Sequence, residues 1–303
     1  MASNTDRASL SMRYSLIPDT SLQLSYAREI KDVEGDSASD WSRPEKTTRD
    51  IYEMKVTNRS ISRVRTTLRL GHKRVGFEYG PDIVNNEPGR TDQAKLDLTW
   101  TISPRLSLFA NGYLVRDESD ENRTSPDISD ANVGRALRQQ YVTSLVFMAS
   151  KRMSIIPTYS FISQEQKRDL VWEDGNGDHV VDQGYTNKQT AHNFALELAA
   201  RPSDRLKMNG IIDYTVTRGT FDPTSPFTLA DGTSINTAEI AQFSASEIKV
   251  IDLRLDNELD LGRGWGLGLE FHYADWKDDS FDNPSDSNYI GALFKLIKRI
   301  GAK

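Results

Sequence analysis

The sequence predicts an all-β fold, an antiparallel up-and-down transmembrane β-barrel with about 13–14 visible strands, short periplasmic turns and long extracellular loops. Two observations support this fold: apolar residues alternate with polar ones, and short turns alternate with long ones. The clearest segment is 91–116, where Ala94, Leu96, Leu98 and Trp100 alternate with polar residues. A period of two places apolar side chains on one strand face and polar side chains on the other.

The other strands follow the same pattern, and their length of about ten residues spans a bilayer when the strand is tilted. The fourth strand changes phase between Gly71 and Arg74, which indicates either a β-bulge or a strand tip outside the membrane. Pro157 removes a backbone donor and predicts a locally weak pairing. The remaining predicted strands are 7–16, 21–29, 48–57, 64–79, 139–149, 152–164, 193–198, 206–217, 251–259, 265–273 and 288–300.

The short turns are predicted at one end of the strands and the longer loops at the other end. Each short turn is followed by a longer charged segment, and a soluble β-sandwich has no reason to sort its loops in this way. The chain is therefore predicted to be one outer-membrane barrel domain, 1–303, or the C-terminal part of a larger barrel. Either way it is expected to contact the lipid bilayer of a bacterial outer membrane. The short turns lie at Pro18, Asn58, Pro104, Ser150, Pro202 and Gly262. The long loops lie at 30–47, 80–90, 117–135, 166–189 and 219–244, and a short acidic loop lies at 277–286.

Composition excludes several other classes of protein. The 303 residues are 37% hydrophobic and 27% charged, which is low in apolar residues for a soluble domain but ordinary for a barrel with a hydrated interior. The chain has no cysteine, so disulfides, thiolate metal sites and covalent haem attachment are excluded. The net charge of -6 and the lack of a basic–aromatic cluster argue against a nucleic-acid partner.

The polar positions of the strands form the candidate functional surface, because they point away from the apolar face. They predict either a hydrated channel or a polar sleeve that holds a partner, with cross-strand ion pairing as the simpler interpretation of any single residue. The residues predicted to face the lumen are Arg63, Arg65, Arg69, Lys95, Asp97, Lys207, Asp213, Asp252, Arg254, Asp256, Glu258 and Glu270.

One segment resembles a calcium loop. Asp174, Asn176, Asp178 and Asp182 supply oxygen donors at loop positions one, three, five and nine. His179 replaces the usual glycine, so a surface turn rich in Asp and Gly is the alternative interpretation. No catalytic motif is found, and the chain is not expected to be an enzyme.

Four segments of the chain resemble one family of barrels: SLSMRYSLIPDTSLQLSYARE, DWSRPEKTTRDIYEMKV, LDLTWTISPRLSLFANGYL and TAHNFALELAARPSDRLKMNGIIDYTVTRGTFDP. They are similar to the MtrB/PioB-like barrels of porin–cytochrome conduits. The resemblance implies a barrel that sheathes a multihaem c-type cytochrome for electron transfer across the outer membrane. It implies that haem comes only through this partner and that the chain itself carries no cofactor, apart from possible calcium.

Two other functions stay open at this point. One is a general diffusion porin or small-solute channel of the same architecture. The other is a soluble extracellular β-rich module that binds calcium.

Overall fold

The computed structural model describes residues 2–34, 46–78, 88–125, 128–173, 179–222, 227–228, 234–235, 245–280 and 285–298. No helix in these parts of the chain is long and apolar enough to cross a membrane. The described residues form fifteen strands: β1 (Ala2–Tyr14), β2 (Thr20–Glu34), β3 (Lys46–Asn58), β4 (Val64–Glu78), β5 (Arg90–Ser103), β6 (Leu106–Ser125), β7 (Ile128–Ser150), β8 (Met153–Glu173), β9 (His179–Ala200), β10 (Leu206–Asp222), β11 (Phe227–Thr228), β12 (Ser234–Ile235), β13 (Ser246–Gly262), β14 (Trp265–Asp278) and β15 (Ser285–Lys298).

Thirteen of the strands form a single antiparallel sheet. Its order is β1 to β10 followed by β13, β14 and β15, so strands adjacent in the sheet follow one another along the chain, while β11 and β12 pair only with each other. The up-and-down fold and the predicted number of strands are confirmed. β1 and β15 stand at the two ends of the strand order.

The turns at one end of the sheet are short, as predicted. They contain between two and five residues and join β1 to β2, β3 to β4, β5 to β6, β7 to β8, β9 to β10 and β13 to β14. Gly262, Arg263 and Gly264 all have positive φ, at 82°, 54° and 76°. This conformation costs little for glycine but is uncommon for other residues, so the glycines allow the two-residue turn between β13 and β14.

Several segments predicted as long loops are instead extensions of the strands. β6 continues to Ser125 and β7 begins at Ile128, so most of 117–135 is a hairpin. The same holds for β8 and β9, which cover most of 166–189. The prediction was wrong because charged side chains were taken as the end of a strand, whereas ladder hydrogen bonds continue wherever water can solvate both faces.

The register between strands keeps apolar residues on one face of the whole sheet. One ladder row starts at Tyr14, beside the short turn, and reaches Lys249 and Lys277 near the opposite ends of β13 and β14. A row that climbs from one end of the strands to the other is the stagger that accompanies tilted strands in a barrel wall.

Two local predictions have clear outcomes. β4 pairs with β3 and β5 without any register shift from Thr66 to Arg74, so the change of phase at Gly71 is not a bulge. Beyond Gly71 the apolar Val75 is buried on the polar face instead. Pro157 pairs with Leu196 on β9, but the β7–β8 ladder has a gap beside it, which confirms the predicted weak pairing.

Candidate functional site

The polar face of the sheet is its concave face. Among the residues whose side chains are described, the six that are buried, glycines aside, all lie on it: Ala27, Thr47, Thr67, Val75, Val115 and Asp117. Most of the large exposed apolar side chains, such as Leu96 and Leu255, lie on the opposite face. Side chains converge on the inside of a curved sheet and diverge on the outside, so this difference in burial gives the direction of curvature.

Eleven of the twelve residues predicted to face the lumen lie on this concave face. Arg63 does not belong to a strand, because it lies in the turn before β4 with a φ of 66°. The eleven are Arg65, Arg69, Lys95, Asp97, Lys207, Asp213, Asp252, Arg254, Asp256, Glu258 and Glu270.

Positive charge is concentrated on the concave face of β3 to β5. Lys55, Arg69 and Lys95 lie directly opposite one another on adjacent strands, and we call them the basic row. Lys95 lies 3.8 Å from Asp97, but no ion pair joins Lys55 or Arg69 to another described residue. The row borders a cavity of about 340 Å³, which Gln23 and Tyr113 also line.

Negative charge is concentrated on the concave face of β10, β13 and β14. We call Asp213, Asp252, Asp256, Glu258 and Glu270 the acidic cluster.

Asp252 is the most strongly bonded of these carboxylates. It accepts hydrogen bonds of 2.8 and 3.1 Å from Arg254 and lies 2.9 Å from Nε2 of His272. Asp213 lies directly opposite Asp252 and accepts hydrogen bonds from Asn193 at 2.5 Å and Thr215 at 3.0 Å. Arg254 and Thr215 bond within the strand of their carboxylate, whereas His272 and Asn193 reach it from a neighbouring strand.

Mostly uncharged side chains separate the two charged regions. On β7 to β9 the concave face carries Ser144, Thr158, Ser160, Ala191 and Ala195, and its charged residues are Arg138 and Glu197 among those described. Ser144 and Thr158 share a hydrogen bond of 2.9 Å, so their polar groups satisfy each other. The concave face therefore has a basic side, a mostly uncharged middle and an acidic side.

The sequence prediction missed Asp117, a buried polar group at this face. Asp117 was assigned to a loop, but it lies on β6, is only 9% exposed, and accepts hydrogen bonds from Arg138 at 2.6 Å and from Thr91 at 2.7 Å. The sequence did contain a signal for this placement. Val115 and Asp117 are two residues apart, so they continue the alternation that places every second residue of the strand on the inward face.

The proposed calcium ligands cannot be placed. Asp174, Asn176 and Asp178 lie outside the described residues, and Asp182 lies on β9 without a described side chain. The calcium loop stays a prediction.

No protein-family model matches the chain, and no curated protein matches it. Its structure is similar to that of the ferric yersiniabactin uptake receptor FyuA from Yersinia pestis, with 11% identity and a TM-score of 0.54 over 99% of this chain and 58% of the receptor. The chain has the fold of outer-membrane β-barrel proteins. The predicted bacterial outer-membrane location agrees with this fold.

Two further solved structures support the same fold. The ferric-catecholate import receptor Fiu from E. coli K12 shows 10% identity and a TM-score of 0.52 over 97% of this chain and 63% of the receptor. The copper transporter OprC shows 9% identity and a TM-score of 0.52 over 98% of this chain and 57% of the transporter. The chain thus spans less than two thirds of each of these proteins. At such identities the likeness concerns the fold alone, and the predicted cytochrome conduit stays a prediction.

Proposed function

We propose that this chain forms the wall of a transmembrane β-barrel whose concave face holds a multihaem c-type cytochrome for electron transfer across the outer membrane. The observation that carries the proposal is the division of charge on that face. The basic row lies on β3 to β5 and the acidic cluster on β10, β13 and β14, with the mostly uncharged concave face of β7 to β9 between them.

This division suits a bulky folded partner. Opposite charges on two sides of a cavity orient a partner that carries complementary patches and oppose the reversed orientation. Small side chains on the concave face of β7 to β9, such as Ser144, Ala191 and Ala195, leave room for such a partner. Because the chain has no cysteine, it cannot attach c-type haem itself, and every c-type haem would belong to the partner.

Purification from native membranes tests the proposal. We expect the barrel to retain a c-type cytochrome, seen as a reduced α-band in the visible spectrum. The variant Lys55→Glu/Arg69→Glu should lose most of this haem, because it reverses charge in the basic row. The matched control is Arg201→Glu/Arg205→Glu, in the exposed turn between β9 and β10. A barrel that carries no haem in its native membrane would contradict the proposal.

The second candidate function is a channel for anionic solutes. The basic row and its cavity of about 340 Å³ favour it, because clustered cations attract anions into a water-filled passage. The similar structures include receptors and a transporter for ferric chelates and copper, as their names state. Anion-selective current through the haem-free protein in planar bilayers would support this function over the cytochrome conduit.

A further inference from the structure

The convex face changes from apolar to charged near the ends of the strands that are remote from the short turns. Among the described residues of β2 to β7, five arginines lie there, outside the apolar surface, and we call them the arginine belt. The ladder row that carries most of them runs Arg28–Asp50–Arg74–Arg90–Glu118–Arg135, and Arg116 lies in the adjacent row beside Asp92.

The carboxylates within the belt do not balance its positive charge. Glu118 is shared by three arginines: Arg90 at 3.8 Å, Arg135 at 3.8 Å, and Arg116 in closer contact. Arg74 lies between Asp50 and Arg90 in its row, and no ion pair joins it to another described residue.

The remaining belt arginines have weak or shared partners. Arg28 lies 3.9 Å from Asp50, whose carboxylate also accepts a 2.7 Å hydrogen bond from Tyr26. Arg90 lies 2.8 Å from Asp92, which is also 2.6 Å from Nδ1 of His72. The belt therefore has more guanidinium groups than carboxylates. The side chains of Arg28, Arg90, Arg116 and Arg135 are each more than half exposed.

An apolar groove lies directly beside the arginine belt on β1 to β4. Its volume is about 590 Å³, and its lining includes Leu10, Met12, Leu24, Tyr52 and Leu70. Tyr26 and Tyr52 pack there with ring centroids 5.0 Å apart, one ladder row from Arg28 and Asp50. The apolar groove and the arginine belt are thus adjacent on the same convex face.

We propose that this surface binds a phosphate-bearing lipid of the membrane leaflet on the long-loop side, with an acyl chain in the groove and phosphate on the arginine belt. Guanidinium groups bind phosphate through paired hydrogen bonds, and the excess positive charge supplies the complement to an anionic headgroup. The apolar face below the belt requires contact with lipid chains in any case. This inference concerns the convex face and does not rest on the proposed function of the concave face.

Lipid binding to the detergent-solubilised protein tests the inference. The probes are lipid A, lipid A from which the phosphates have been removed enzymatically, and inorganic phosphate. We expect lipid A to bind at least tenfold more tightly than its dephosphorylated form. The variant Arg74→Gln/Arg135→Gln should weaken lipid A binding by about tenfold or more, since each cation near a charged membrane surface contributes roughly 1 kcal/mol.

Two controls separate the lipid site from general effects. Arg201→Gln/Arg205→Gln removes two arginines at the opposite end of the sheet and should leave lipid A binding unchanged. Leu24→Trp narrows the groove and should weaken binding while the belt keeps its charge. Equal binding of both lipids, equal competition by inorganic phosphate, or unchanged binding by Arg74→Gln/Arg135→Gln would each overturn the inference.

Discussion

Lys55 on β3 and Arg69 on β4 lie directly opposite each other on the concave face, and no ion pair neutralises either one among the described residues. Lys95 continues the row on β5. Like charges in directly opposed positions destabilise a sheet. The basic row therefore lowers the stability of this part of the sheet and leaves cationic groups available to an anionic partner.

Arg69→Gln should stabilise the sheet, because it relieves repulsion from both Lys55 and Lys95. We expect the free energy of unfolding to rise by about 0.5 kcal/mol, measured by urea unfolding in lipid vesicles. Arg65→Gln is the control, since Arg65 lies on the same face of β4 opposite the uncharged Thr99. A loss of stability in Arg69→Gln would show that Arg69 has a stabilising partner.

Asp252→Asn should destabilise the protein by about 1 kcal/mol, because it weakens the bonds to Arg254 and His272. The loss is moderate because both partners are partly exposed. Asp256→Asn provides a comparison on the same strand and face, and no ion pair of Asp256 is found among the described residues. Equal effects of the two substitutions on the unfolding midpoint would argue against a special role for Asp252.

Asp117→Ala should destabilise the extended β6–β7 hairpin by about 2 kcal/mol, since Arg138 and Thr91 would lose a buried acceptor. Thr91→Val, which removes only the weaker of the two bonds, should cost about 1 kcal/mol. Hydrogen exchange of backbone amides measures the effect locally. Protection that stays unchanged in β6 and β7 would contradict the assigned bonds.

Leu196→Arg should destabilise the membrane-embedded protein by about 2–4 kcal/mol, because it places a charge on the lipid-facing side of β9. Glu197→Arg is a matched control, since the neighbouring residue points to the concave face between Ile156 and Ile211. Unfolding in vesicles distinguishes the two variants. Similar costs for both would mean that Leu196 does not contact the lipid chains.

Much of the fold could be predicted because the relevant information is local. Alternation within one strand defines the two faces before any pairing is known. On β5, for example, Leu96 and Leu98 lie on one face and Lys95 and Asp97 on the other. Turn residues such as Gly262 mark the end of a strand for the same local reason. The faces and most of the short turns therefore followed from the sequence.

The ends of the strands at the long-loop side were predicted poorly. Asp117 was taken as the start of a loop, although it is buried on β6. Hydrophobicity marks only the part of a strand that contacts lipid, whereas the ladder of backbone hydrogen bonds extends past it. The same reason explains why most of 166–189 belongs to β8 and β9.

The sequence by itself determined which residues of each strand are apolar and which are polar, because that pattern depends on neighbours two positions apart. Only the tertiary structure decided which polar residues meet. Lys55 and Lys95 are forty positions apart in the numbering, yet both flank Arg69, and His272 reaches Asp252 from the next strand. Register between strands joins such residues, and register depends on turn geometry and strand tilt rather than on any single strand.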